Sequence, residues 1–299
     1  MRGITLIELV VAMVLTGIVI AATVYFFYPV IQGVDLTGRA ELTDIADNAL
    51  QRIGREVRLA LPNSVRQTTS GSSSFLEFLP VRTAGRYRAD SGSVSSGTDC
   101  NSGVPADDQL TFSQTPADTC FKTIGTVTDA ATISTNDFLV FNNYGEGFDR
   151  QNAYATSGTL NRRKISAATD EGTRERITFI SGTALDRALH DSPGKRFFVI
   201  VGNASGPEPV TYACDTSTGQ KKLTRYWGYA MSASQPTSFV GASSALIAEN
   251  VSGCVFDYVA NVAPQIGLLT LNLTLSKSLP GGATETVRLY HAVHIINVP

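Results

Sequence analysis

The sequence predicts an α+β chain: one long N-terminal helix, its first half membrane-spanning and its second half amphipathic, packed on a large antiparallel β-rich head. Three observations predict it. No charged residue occurs from Leu9 to Val34, and apolar residues then recur at helical spacing from Leu42 to Ala60. Beyond Pro62 the pattern breaks into short alternating runs separated by clusters of Gly, Ser, Asn, Asp and Pro.

The first element is a membrane span. Leu9 to Ile31 (LVVAMVLTGIVIAATVYFFYPVI) is long enough to cross a hydrocarbon core of about 30 Å at a rise of about 1.5 Å per residue. A secretory signal peptide would show a basic start, a shorter apolar core and a small-residue cleavage site after it. Here Met1-Arg2-Gly3 precede the run and no such site follows it. Arg2 ahead of the span biases the N-terminus to the cytoplasm and the head to the far side of the membrane. Glu8 stands alone at the edge of the run, and an ionisable group there is expensive enough to be read as functional.

Gly3 followed by ITLIELVVAMVLTGIVIAA resembles the cleavage-and-methylation segment of type IV prepilins and type II secretion pseudopilins. The resemblance implies a type IV pilin-like fold, cleavage by a prepilin peptidase between Gly3 and Ile4, and N-methylation of Ile4. Residues 1–3 are then a leader peptide, and Glu8 becomes the fifth mature residue. Isoleucine stands where the family usually has phenylalanine, and the leader is shorter than usual. Elementary electrostatics supports the same mechanism. An α-amino group freed on Ile4 is cationic near neutral pH, and unpaired charges in an apolar phase are heavily penalised. Pairing Glu8 with that amine on a neighbouring subunit removes most of the penalty and fixes the axial register of a helical assembly.

The span, residues 4–34, gives way to the amphipathic half, residues 35–62. Leu42, Ile45, Ala46, Ala49, Leu50, Ile53, Val57 and Ala60 line one face, and Arg52 and Glu56 are spaced for an ion pair on the other. Pro62-Asn63 is the expected stop. Pro29, Gly33 and Gly38 are each unfavourable inside a helix and predict a kink or melted stretch. Unbroken from Ile4 to Leu61, the helix would be roughly 87 Å long at about 1.5 Å per residue.

The head, residues 63–299, is large enough for one domain or two subdomains, and one head with a long insertion is expected. The clearest strand is Leu268–Leu275, with leucine at the odd positions. The turn signal Leu279-Pro280-Gly281-Gly282 leads from it into Thr286–His291, and Cys254–Val259 completes a C-terminal meander. Further strands are expected at 75–81, 109–113, 137–142, 176–181, 197–201, 210–214 and 223–229. About 84–108 the sequence is rich in Ser, Gly, Asp and Arg and reads as an exposed loop insertion. At both ends of the head, Arg58–Arg66 (RLALPNSVR) and Tyr290–Pro299 (YHAVHIINVP) resemble the minor pilins of MSHA-type pili in the PilW-like group.

Cys100, Cys120, Cys214 and Cys254 all follow the span, on the side where disulfides persist. Three pairings are open. The sequential one, Cys100–Cys120 and Cys214–Cys254, is preferred because it pins the loop and staples a strand to the meander. No CxxC spacing points to zinc. No catalytic residues, metal site or cofactor are expected. His190-Asp191-Ser192 cannot form a triad among adjacent residues, and His291 and His294 on one strand point to opposite faces. Asn142–Asp149 (NNYGEGFD) reads as a turn rather than a calcium loop. Basic clusters at Arg82, Arg86 and Arg88, at Arg162-Arg163-Lys164 and at Lys221-Lys222 sit in a chain of net charge −2 and pI near 5.9, so no nucleic-acid partner is expected. The aromatics Tyr226, Trp227 and Tyr229 beside Lys221-Lys222 read as core.

The expected function is that of a non-enzymatic minor pilin, a single-pass inner-membrane protein with a periplasmic head that enters a pilus or pseudopilus filament and primes its assembly. The expected partners are other pilins and pseudopilins, the prepilin peptidase, an inner-membrane assembly platform and the lipid bilayer. The alternatives are a J-type pseudopilin of type II secretion and, in another class, a single-pass periplasmic binding protein or hydrolase.

Overall fold

The computed structural model describes residues 5–89, 100, 108–113, 115–158, 160–263, 265–279 and 282–299. It is built on one helix, α1 (Leu6–Arg58), 53 residues and ~80 Å long at about 1.5 Å per residue. The helix runs without interruption through Pro29, Gly33 and Gly38, so the melted stretch expected there is absent. A proline removes a single amide donor, and the backbone bonds on either side of it carry the helix through. The end also differs from expectation, lying at Arg58 rather than near Pro62. Leu61 donates its N–H to the Leu79 carbonyl, and Val81 donates to that of Leu59. This strand-like pairing draws the chain out of the helix before the proline is reached. Arg55 and Arg58 in the last turn complement the negative end of the helix dipole.

The head opens with β1 (Arg66–Ser70) and β2 (Ser73–Phe78). It then passes into β3 (Val81–Arg86), β4 (Cys120–Lys122), β5 (Phe138–Phe141), β6 (Arg162–Asp170) and β7 (Glu175–Phe179). A short helix, α2 (Arg187–His190), precedes β8 (Arg196–Ile200), and a small pair follows, β9 (Gly202–Asn203) and β10 (Gly206–Pro207). The chain returns through β11 (Val210–Asp215), β12 (Lys222–Trp227) and β13 (Ser243–Glu249). The meander β14 (Val251–Ala263), β15 (Ile266–Ser278) and β16 (Thr284–Ile296) closes it.

These strands form a five-stranded sheet in the order β1-β2-β11-β12-β13, a six-stranded sheet in the order β3-β8-β5-β6-β7-β4, the meander, and the two-stranded β9-β10 pair. The named strand pairs are all antiparallel. Because β2 and β11 are neighbours, with Phe78 opposite Val210, everything from β3 to β10 is inserted between two adjacent strands of one sheet.

Each unit has its own core. Leu42, Ala46, Leu50, Ile53 and Val57 of α1 meet Leu76 and Tyr212 of the five-stranded sheet and Leu269, Leu271, Leu273 and Val293 of the meander. Fully burying a side chain of this size contributes about 1.5–3 kcal/mol, so the helix face is the main adhesive of this unit. The inserted unit packs a separate aromatic core, with Phe121 edge-on to Phe197 at 5.2 Å and Tyr87 edge-on to Phe141 at 5.7 Å. A smaller cluster with Leu61, Leu79, Tyr154 and Ile200 joins the two.

The alternation read in Leu268–Leu275 is that of β15, whose Leu269, Leu271, Leu273 and Leu275 are all buried. Residues 109–113 do not form a strand; Leu110 makes one bridge, to Ala89. Of the loop expected at about 84–108, residues 84–86 belong to β3 and Tyr87 is fully buried, because its aromatic ring anchors the second core; 90–99 and 101–107 lie outside the described residues.

Candidate functional site

The first turn of α1 is organised by Thr5 and Glu8. Thr5 is the N-cap: its hydroxyl accepts the Glu8 N–H at 3.4 Å, while Glu8 Oε2 accepts the Thr5 N–H and the Thr5 hydroxyl, each at 3.0 Å. This reciprocal arrangement is a capping box, which satisfies orphan donors of the first turn and sets a carboxylate against the positive end of the helix dipole. Glu8 Oε1 has no partner among the described residues. Gly3 and Ile4, the expected processing pair, lie outside the described residues, immediately before the cap. Thr5 was not singled out from the sequence, although the Ser/Thr-x-x-Glu spacing of Thr5-Leu6-Ile7-Glu8 carries the signal.

From this cap the helix is wholly unpacked. Leu6–Tyr25 is apolar and long enough to cross a membrane, and none of its residues is buried. Twenty residues at about 1.5 Å each span the ~30 Å of a bilayer core. The hydroxyls within it are already satisfied: Thr16 donates to the Ala12 carbonyl at 2.6 Å and Thr23 to that of Val19 at 2.7 Å. In lipid, where no water completes hydrogen bonds, such back-bonding lets threonine sit in the span without an unpaired polar group.

The second half of α1 is clamped to the head by apolar burial and by a rim of ion pairs. Arg39 meets Glu285 at 3.2 Å, Lys277 meets Glu41 at 2.8 Å, and Glu56 bridges Arg52 at 3.3 Å and Arg225 at 2.8 Å. Gly54 permits the close approach to β16, since a Cβ there would lie 3.1 Å from the His291 ring and 3.3 Å from Val293. The helix is thus one rod with a free apolar end and a fixed amphipathic end.

The cysteines form two disulfides. Cys214 on β11 is bonded to Cys254 on β14, tying the five-stranded sheet to the meander, and Cys100 is bonded to Cys120 on β4 within the inserted unit. On the chain-entropy view, loops of this size contribute about 3–4 kcal/mol each.

Other candidate side chains are structural. His190 is buried, its Nδ1 accepting the Asp186 N–H and its Nε2 2.9 Å from the Arg150 carbonyl, so the ring is held as the neutral Nε2–H tautomer, and burial pushes its pKa down. His291 faces α1, while His294, three residues on, is exposed. In Asn142–Asp149, Asn142 donates to the Leu189 carbonyl and Asn143 to that of Pro62, so these amides pin a turn. No cluster of potential metal ligands occurs among the described residues.

Arg82, Arg162 and Arg163 of the basic clusters are spent internally as well. Arg82 pairs with buried Asp137 at 2.7 Å. Arg162 donates to the Ala153 and Ala155 carbonyls, and burial lowers its pKa to about 10; Arg163 donates to those of Leu160 and Thr183. Tyr229 donates its hydroxyl to Glu77, and Trp227 packs against the α1 core.

Residues 1–24 match the model of the prokaryotic N-terminal methylation motif. Neither a curated protein nor a solved structure matched the chain. A methylation motif that runs into an uncovered apolar helix, itself seated on an antiparallel β-rich head, indicates a type IV prepilin-like protein, and the motif points to a structural subunit.

Proposed function

We propose that the chain is a minor pilin of an MSHA-like type IV pilus, resembling the MSHA pilus biogenesis protein MshO, and that it primes filament assembly. A prepilin peptidase removes residues 1–3, Ile4 is N-methylated, and the head stands in the periplasm on a single inner-membrane span until an assembly platform passes the subunit into the filament. The observation that carries the reading is Glu8: one carboxylate at the head of an uncovered, otherwise uncharged span, held at the helix tip by Thr5. Counted from Ile4, whose amine cleavage would free, Glu8 is the fifth residue of the mature chain. Pairing with the Ile4 amine of a neighbouring subunit neutralises two charges inside lipid, where each alone is costly.

The size of the head supports a low-copy position near the filament tip, since an inserted unit of this bulk obstructs dense helical packing. The test is N-terminal sequencing of the protein recovered from membranes of peptidase-positive and peptidase-negative cells. Methylated Ile4 as the first residue only in the former is expected, and an intact Met1-Arg2-Gly3 in both ends the filament reading. Deleting the gene then separates the systems: loss of surface fibres with exoprotein export intact is expected, and the reverse pattern assigns the chain to type II secretion.

A further inference from the structure

The five-stranded sheet has a second face, turned away from α1. Strand alternation decides what lies there: Leu223 of β12 and Cys214 of β11 reach the α1 core, while Thr224, Tyr226 and Asp215 point the other way. The segment 228–242 folds back over part of this face. Tyr229 is bound to Glu77, and Phe239 stacks on Tyr226 with ring centres 4.6 Å apart and planes 13° from parallel. Where that roof ends, a groove of about 450 Å³ opens along the strands.

Most charged side chains of the head are paired, but those over this groove are not. Asp215 uses Oδ1 to accept the Ser217 N–H at 2.8 Å, leaving Oδ2 without a partner among the described residues. Lys222 lies directly opposite Asp215 in the β11–β12 register, and the side chains of Lys222 and Gln220 make no hydrogen bond or ion pair among the described residues. A carboxylate, an ammonium and a carboxamide, all with unused capacity, therefore converge beside the stacked Tyr226–Phe239 pair, with the hydroxyls of Ser73 and Ser244 along the walls.

We propose that this groove is a carbohydrate-binding site that takes an uncharged pyranose ring. The two charges on its lining cancel and Glu249 stands opposite Lys222 on β13, so no positive field is left to hold a phosphate or an acidic polymer. Its walls are too polar for a lipid chain. A sugar uses every group present: adjacent hydroxyls donate to Asp215 Oδ2, Lys222 and Gln220 donate to ring hydroxyls, and the C–H face of the ring lies against the electron-rich aromatic wall. The site is on the head and stands apart from the assembly reading of α1.

The test uses the full chain in alkylphosphocholine micelles, which carry no sugar head group, titrated with maltose, cellobiose, lactose and N,N′-diacetylchitobiose by calorimetry and saturation-transfer NMR. At least one disaccharide is expected to bind saturably. Asp215→Asn, which keeps an oxygen for the Ser217 turn, and Lys222→Ala are each expected to weaken binding about tenfold, as the loss of a hydrogen bond to a charged group implies. Asp257→Ala on the meander is expected to leave it unchanged. Failure of all four sugars to saturate overturns the proposal, as does unchanged affinity in both groove variants. Preferential binding of a heparin fragment that is lost in Lys222→Ala overturns it equally, because the site would then be anionic in preference.

Discussion

At the scale of single residues, the main tension is between the local and the intermolecular use of Glu8. Its carboxylate completes the capping box with Thr5, so it is held at the tip of the helix before any neighbour arrives. Thr5→Val removes the hydroxyl half of the box and is expected to cost about 1 kcal/mol of first-turn stability, seen as faster amide exchange at Glu8 in micelles and restored by Thr5→Ser. Glu8→Ala is expected to leave cleavage and membrane insertion intact and to reduce incorporation into filaments; incorporation at the wild-type level would refute charge pairing as the assembly step.

His190 gives a pH signature of known sign. Burial holds its folded-state pKa below the ordinary 6.5, so its contribution to stability is complete above that value and is lost as pH falls through the depressed pKa. Asp118 acts in the opposite sense: burial outweighs its hydrogen bonds from Thr111 and Cys120 and lifts its pKa to about 6, so its contribution is lost as pH rises through that value. The difference between wild-type and His190→Gln melting temperatures therefore isolates the histidine, and the gap is expected to narrow from pH 7 to pH 5.

Among the elements, α1 shows most clearly what a sequence exposes and what it conceals. Its span, its amphipathic face and the leucine alternation of β15 were legible because each is a periodic pattern set by burial on one side. The strands β1, β3, β4, β6, β9, β10 and β13 were not. β1 (RQTTS) is polar edge sequence, and β6 opens on Arg162-Arg163-Lys164, whose guanidinium groups reach backbone carbonyls rather than water. Tertiary hydrogen bonds of that kind leave no periodicity to read. The site was legible in part: Glu8 stands out by charge alone, whereas Thr5 is signalled only by its spacing to Glu8, and its hydrogen bonds follow once the helix start is fixed. Gly54 belongs to the same hidden class, since its reason is the ring of His291, a residue far along the chain. Gly54→Leu is expected to destabilise the head by about 1–3 kcal/mol through overpacking, while Gly54→Ala, which gains about 1 kcal/mol of helix propensity, is expected to fall near neutral. Urea denaturation distinguishes the two.

Across the whole molecule, the head is a helix-bearing unit with a second unit inserted between paired strands. Arg66 is one polar link between them, beside the Asn143 and Tyr154 side chains that donate to the Pro62 and Ser64 carbonyls. Its guanidinium binds Glu77 at 2.6 Å, Glu146 of the inserted unit at 3.0 Å and the carbonyls of Ser232 and Ala233, and it lies 3.6 Å from the centre of the Tyr154 ring. Replacing residues 80–208 by a two-residue Asn-Gly turn is expected to leave α1 docked and the Cys214–Cys254 disulfide formed. Arg66 keeps Glu77 and two carbonyls, and Phe78 already lies opposite Val210. Circular dichroism and thiol counting check this outcome. The same architecture also governs timing. The face of α1 with Leu42, Ile53 and Val57 is covered by β15 and β16, which leave the ribosome long after it. Throughout synthesis and translocation that face stays bare, and contacts so distant along the chain close slowly. A nascent chain therefore carries two uncovered greasy surfaces at once, one apolar enough for lipid and one awaiting β15 and β16, and anything that delays that hairpin lengthens its exposure to misassembly.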